Sequence, residues 1–130
     1  MATTYADDDD ITAWDSAAGD YLPTGVSTFD AVRTKAYQEI GRRLSRREPA
    51  IDQSVLGLID ELKHAEVLFA LHALYFQAAA KVADDSMLNW RSKQYRDDFE
   101  AEMANVRIPA DTDDFNAALR SVKTVPIYRR

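Results

Sequence analysis

Residues 55–82 read VLGLIDELKHAEVLFALHALYFQAAAKV. Val55, Leu58, Ile59, Leu62, Leu68, Leu71, Tyr75, Ala79 and Val82 follow a helical pattern that covers more than one face. Phe69, Leu74 and Ala78 widen the stripe until the stretch from Ala65 to Ala80 is apolar nearly all round. A helix of that texture is central, covered by several neighbours. Asp52 or Ser54 is placed to cap it, and no proline interrupts it. At about 1.5 Å per residue, a run of about 28 residues spans roughly 42 Å. That is long for a small domain, so one end is expected to project or to meet another subunit.

Amphipathic helices flank this core on both sides. Upstream, Phe29, Val32, Ala36, Ile40 and Leu44 form one apolar stripe. Ser27 or Thr28 is the expected N-cap, Asp30 suits the first turn, and Pro49 marks the stop. Downstream, Ser86 is the expected cap of a further helix with Leu88, Tyr95, Phe99, Met103 and Val106 on its stripe. Lys93 with Asp97, and Arg96 with Glu100, are four-apart pairs on its wet side, and Pro109 ends it. Asp111, Asp113 and Asp114 could open a short helix over 115–119. After Arg120 the chain turns β-prone, with Val122, Val125, Ile127 and Tyr128 before Arg129 and Arg130, and Pro126 restricts any strand to an edge. Such an extended apolar tail is a candidate for pairing across subunits.

The charge is split. Residues 1–20 hold six of the 22 acids and none of the 16 bases, so the rest of the chain balances 16 against 16. The whole net charge of −6 sits on an N-terminal segment, where the aspartates at 7–10 repel one another and have low helix propensity. Trp14, Tyr21 and Leu22 in that segment are expected to pack on something, the chain's own body or a neighbour. The 130 residues predict one domain. It divides into an acidic N-terminal arm (1–26), a helical bundle (27–109) and an extended C-terminal tail (110–130). The fold class is all-α: a small bundle around one long central helix, with extended arms at both ends. With no cysteine there is no disulfide and no thiolate metal site, which fits a reducing cytosol. No apolar run reaches the ~20 residues that span a bilayer, and no secretory signal is read at the N-terminus.

Catalytic constellations are not found in the sequence, so neither enzyme activity nor a cofactor is expected. His64 and His72 lie eight apart and do not face one site. Glu61 and His64 match the Glu-x-x-His spacing of di-iron bundles, but the second copy that such a site requires is missing. Glu61 is expected to be solvated and His64 to sit at the rim of the core. There is no nucleophile elbow and no phosphate loop. One charge cluster stands out: Arg42, Arg43, Arg46 and Arg47, two four-apart pairs at the end of the first helix. Helix capping needs one or two of them. The four could dock on an acidic protein surface, the preferred reading, form a solvated face, or neutralise phosphates. The acidic arm argues against general nucleic-acid affinity. Trp14 is a candidate interface anchor. Trp90 is expected at the core edge, with a subunit contact as the alternative.

The layout of the long helix at 55–76, the shorter helix at 88–103 and the basic, β-prone C-terminus at 122–130 resembles the small head–tail connector (adaptor) proteins of tailed bacteriophages. The resemblance covers roughly residues 28–130. It implies a non-enzymatic virion protein of the phage neck, assembled in the host cytoplasm. The protein would form a ring homo-oligomer between the portal and a downstream neck or tail protein, with no membrane partner and nucleic acid at most incidental in the ring lumen. Trp14, the four arginines, Val122, Val125, Ile127, Tyr128, Arg129 and Arg130 would then be interface elements. A small helical DNA-binding or regulatory protein using residues 42–47 is the alternative.

Overall fold

The protein is an all-α bundle built around one long helix. The computed structural model describes residues 4–47, 50–53, 60–81 and 86–106. Four α-helices lie among them: α1, Asp8–Trp14; α2, Asp30–Ser45; α3, Lys63–Lys81; and α4, Ser86–Asn105. Short 3-10 turns at Ala18–Tyr21 and Asp60–Leu62 precede α2 and α3.

Helix α3 is the centre. It runs antiparallel to α4: Phe69 meets Phe99, and His72 meets Ser92. On its other sides it meets α2 and α1. The predicted stripe of α2 is buried throughout, as are Leu88, Phe99 and Met103 of α4. Two clusters make the core. One holds Val32, Ala36, Val67, Leu71, Leu74, Tyr75 and Leu88; the other holds Ile40, Leu44, Ile51, Leu62, Leu68, Phe99 and Met103. Phe69 and Tyr95 are packed against both. Of the long-helix residues named from the sequence, Val55, Leu58, Ile59 and Val82 lie outside the described residues.

Helix α2 begins at Asp30 rather than at a Ser27 or Thr28 cap. Phe29 is its N-cap residue, without a capping side chain. Instead the Phe29 N–H donates to Asp8 Oδ1 at 3.3 Å, a carboxylate supplied by α1. After Ser45 the chain folds back, and the Ile51 N–H donates to Leu44 O at 2.9 Å. Gln53 then lies over Gly41, where a Cβ would collide with its amide. From there the amide donates to Tyr37 O at 2.9 Å and to Tyr5 Oη at 3.0 Å.

The N-terminal segment corrects the expectation of an extended, self-repelling arm. Asp7 caps α1 through a reciprocal box: Asp10 N–H donates to Asp7 Oδ1 at 3.0 Å, and Asp7 N–H donates to Asp10 Oδ2 at 2.9 Å. Asp8, Asp9 and Asp10 fill the first turn. There the positive end of the helix dipole and the free N–H groups favour carboxylates, which offsets their mutual repulsion. Residues 4–22 form a strap, and its Tyr5, Ala6, Ile11 and Ala18 are buried in the two core clusters. The apolar circumference of α3 demanded a third cover, and the chain's own N-terminus provides it.

Candidate functional site

Among the described residues, two of the three buried polar or charged side chains, Glu66 and Arg33, converge on the strap. Glu66 lies on α3 with no exposed surface. Its carboxylate accepts the N–H of Ala6 at 2.7 Å and the N–H of Tyr5 at 3.0 Å. Burial raises its pKa, and those two bonds, with Thr4 and the nearby Arg33, pull the other way. Arg33 of α2 is the second fastener. Its Nε donates to Asp8 Oδ1 at 3.0 Å, while Nη1 donates to Thr4 Oγ1 at 2.7 Å and to Ala6 O at 3.0 Å. Nη2 pairs with Asp30. One guanidinium thus satisfies the strap's backbone and one of its aspartates together, a task for a planar fork of five donors.

Asp15, the C-cap of α1, is the third fastener. Its Oδ2 accepts hydroxyl protons from Tyr75 of α3 and Tyr95 of α4, both at 2.7 Å, and its Oδ1 accepts the Ala17 N–H at 3.0 Å. The two tyrosine rings stack at 5.7 Å, and Arg91 sits over Tyr75 at 5.8 Å. Burial pushes the Asp15 pKa up, but the two hydroxyl donors, the Ala17 N–H and nearby Arg91 together outweigh it and the net shift is downward. Burial first, and then the Asp15 charge, raise both tyrosines.

The Asp15 contribution is present above the ordinary carboxylate value of about 3.9 and is lost as pH falls from there through the lowered folded value. The tyrosine contribution is present below their ordinary value of about 10 and is lost as pH climbs toward the raised folded values. The double variant Tyr75→Phe, Tyr95→Phe should lose about 2–4 kcal/mol at pH 7, since hydrogen bonds to a charged group are worth about 1.5–3 kcal/mol each and this pair is not additive. Its urea midpoint, followed by circular dichroism, should also fall less steeply than that of the wild type on acidification below about pH 4. Equal slopes would mean that Asp15 does not depend on these hydroxyls. Glu39, Glu100 and Asp7, also lowered, add to the acid slope, and Glu66, raised by burial, opposes it.

The four arginines of residues 42–47 do not form one free patch. Arg43 donates to Glu39 Oε2 within α2 at 2.9 Å and reaches across to α4, where it pairs with Glu100 and lies over the Phe99 ring at 5.3 Å. Arg47 donates to the Met103 carbonyl at 2.7 Å and so satisfies an open carbonyl at the end of α4. Arg42 is exposed and bonded to Glu39 within α2, and Arg46 is exposed. Two of the four therefore hold α2 to α4. Glu100 turns to Arg43 rather than serving only the wet-side pair with Arg96.

Trp14 is half-exposed, edge-on to the exposed His64 at 5.2 Å. Trp90, expected at the core edge, is 61% exposed. Two residues along a helix turn the side chain by about 200°, so an inward Leu88 sends Trp90 outward. Met87 is 59% exposed and lies three residues from Trp90 on α4; Phe76, near the end of α3, is 62% exposed. These three belong to the same end of the α3–α4 hairpin. Val122, Val125, Ile127, Tyr128, Arg129 and Arg130 lie outside the described residues, as does the proposed short helix at 115–119.

His72 and Ser92 bring a base and a hydroxyl within 3.0 Å. Ser92 is buried between the helices and donates to the His72 carbonyl at 3.1 Å. The pair works as an interhelical fastening. Among the described residues no group of three His, Asp or Glu side chains is placed to hold a metal ion. No described helix is long and apolar enough to cross a membrane. Sequence reasoning missed Arg33, Glu66 and Asp15. A carboxylate inside the all-round apolar stretch was the available signal for Glu66, because a buried charge must find partners.

Compared with known proteins, the chain significantly matches no family model, no curated protein and no solved structure.

Proposed function

We propose that this protein is a structural subunit that works by docking: a head–tail connector of a tailed phage, present in the virion neck as a ring between portal and tail components. It acts without catalysis or a cofactor. The observation that carries the reading is the outward display of Phe76, Met87 and Trp90 at one end of the bundle, on a fold whose buried polar groups are spent on holding it together. Large aromatic side chains left in water mark contact surfaces when they gather at one end. The tail at 121–130 is the second docking element in this reading. Neutralising phosphates is less favoured, because Arg43 and Arg47 already have partners within the fold.

The double variant Phe76→Ala, Trp90→Ala should keep its helicity and melt within a few degrees of wild type, since exposed positions change stability by about 0.5 kcal/mol or less. Its incorporation into particles should fall about tenfold or more, the loss expected from removing interface anchors. Copy number is read by quantitative mass spectrometry of purified particles. Full incorporation of the variant, or absence of the wild-type protein from particles, overturns the reading.

A further inference from the structure

We propose that the groove occupied by the strap also accepts residues 4–22 of a second copy, so that neighbouring subunits join by exchanging N-terminal straps. The proposal goes beyond the connector reading, because it states how one copy holds the next in whatever particle they form.

Three observations carry it. First, the fastenings of the strap to the body, the Phe29 N–H to Asp8 bond included, act through space between residues 21 or more positions apart. Glu66 holds Tyr5 and Ala6, Arg33 holds Thr4, Ala6 and Asp8, and Tyr75 and Tyr95 hold Asp15, at separations of 25 to 80 positions. A strap from another chain can make each of these contacts unchanged, which is the condition for a low-cost exchange.

Second, the connection to α2 is a surface turn. Val26 N–H donates to Pro23 O at 3.0 Å, with Gly25 at φ 83° between them. Residues 24–28 are exposed, and a cavity of 200 Å³ separates Leu22, Pro23 and Thr24 from Gln77, Ala78 and Lys81 at the end of α3. The turn can therefore open without disturbing the core.

Third, the charges are complementary. The strap carries the whole −6, and its acids meet Arg33, Arg91 and, near Asp7, Lys63. Each groove takes one strap, because a second acidic segment would be repelled. Passing each strap to the next copy makes a heterologous contact, which closes into a ring when the rotation per subunit permits. A strap on a short connection competes at an effective concentration of order mM. Dilute chains therefore keep their own strap, and exchange takes over where copies are crowded on a template.

The test uses full-length chains, one batch labelled with ¹⁴N and the other with ¹⁵N, mixed, unfolded and refolded together at high concentration. Carbodiimide then joins strap carboxylates to Lys63 without a spacer, and mass spectrometry reads the isotope of each half. Exchange predicts mixed-isotope pairs between residues 7–10 and Lys63 in the oligomeric fraction. It also predicts that Gly25→Val, which strains the closed turn but not the open one, moves the self-association midpoint to about tenfold lower concentration. Oligomers containing only same-isotope pairs overturn strap exchange and leave the connector reading standing. Monomers at every concentration, for wild type and Gly25→Val alike, also overturn exchange. Mixed pairs in a protein absent from particles uphold exchange and sink the connector reading.

Discussion

Replacing Arg33 with alanine is expected to lower the unfolding free energy by about 3 kcal/mol, the low end of what breaking a buried ion pair costs. The Arg33 side chain is 8% exposed, so its charge is hardly screened where it stands. Truncation strands several partners at once: the Ala6 carbonyl, the Thr4 hydroxyl, and the carboxylates of Asp8 and Asp30. The low end applies because Asp8 and Asp30 are 35% and 43% exposed and can rehydrate. For a domain of this size the loss corresponds to a fall in melting temperature of about 10 °C. Arg33→Lys should recover less than half of it, since an ammonium keeps the charge but cannot aim donors at four partners. The strap should report the damage first. Amide exchange at Tyr5 and Ala6, whose N–H groups are held by neighbouring Glu66, should accelerate more than exchange at Leu71 in the middle of α3. A melting temperature within 2–3 °C of wild type would show that Arg33 is not needed to hold the strap.

Phe99→Ala is expected to cost more, about 3–5 kcal/mol, the range for emptying a buried phenylalanine site. Phe99 has no exposed surface and lies edge-on to Phe69 at 5.0 Å. It belongs to the cluster that joins α4 to Ile40 and Leu44 of α2 and to Leu62 and Leu68. Its ring also carries the Arg43 guanidinium. Truncation therefore opens a cavity and removes an aromatic face from a cation at the same time. Phe99→Leu, which retains most of the volume, should recover at least half of the loss. Guanidinium denaturation followed by far-UV circular dichroism measures both. If Phe99→Ala costs under 1 kcal/mol, this cluster is not packed as described.

Both variants touch what was readable in the sequence to different degrees. Phe99 was on the predicted stripe of its helix, and its burial followed from spacing alone. Arg33 carries no such signal of its own in the sequence. Its neighbours Phe29, Ala36 and Ile40 at three- and four-residue steps all face inward, and that was the hint that Arg33 stands at the edge of a buried face. Trp90 was expected at the core edge and is exposed, although its position two places from an inward Leu88 already points it to the opposite side. The arginine cluster was misleading because spacing along α2 shows which groups share a face, but not that Glu100 and the Met103 carbonyl wait across the gap on α4.

By itself the sequence determined the all-α bundle, the order and faces of its main helices, and the central place of the helix over Lys63–Lys81. Those properties follow from apolar periodicity, which acts between residues three and four apart. Tertiary structure alone decided that the acidic N-terminus is a helical strap rather than a free arm. It also decided that Glu66, Arg33 and Asp15 are the groups that fasten it. Their partners lie as much as 80 positions away in the chain. The stability of a carboxylate or guanidinium out of water depends on which donors and acceptors the fold delivers to it, and local spacing does not carry that information.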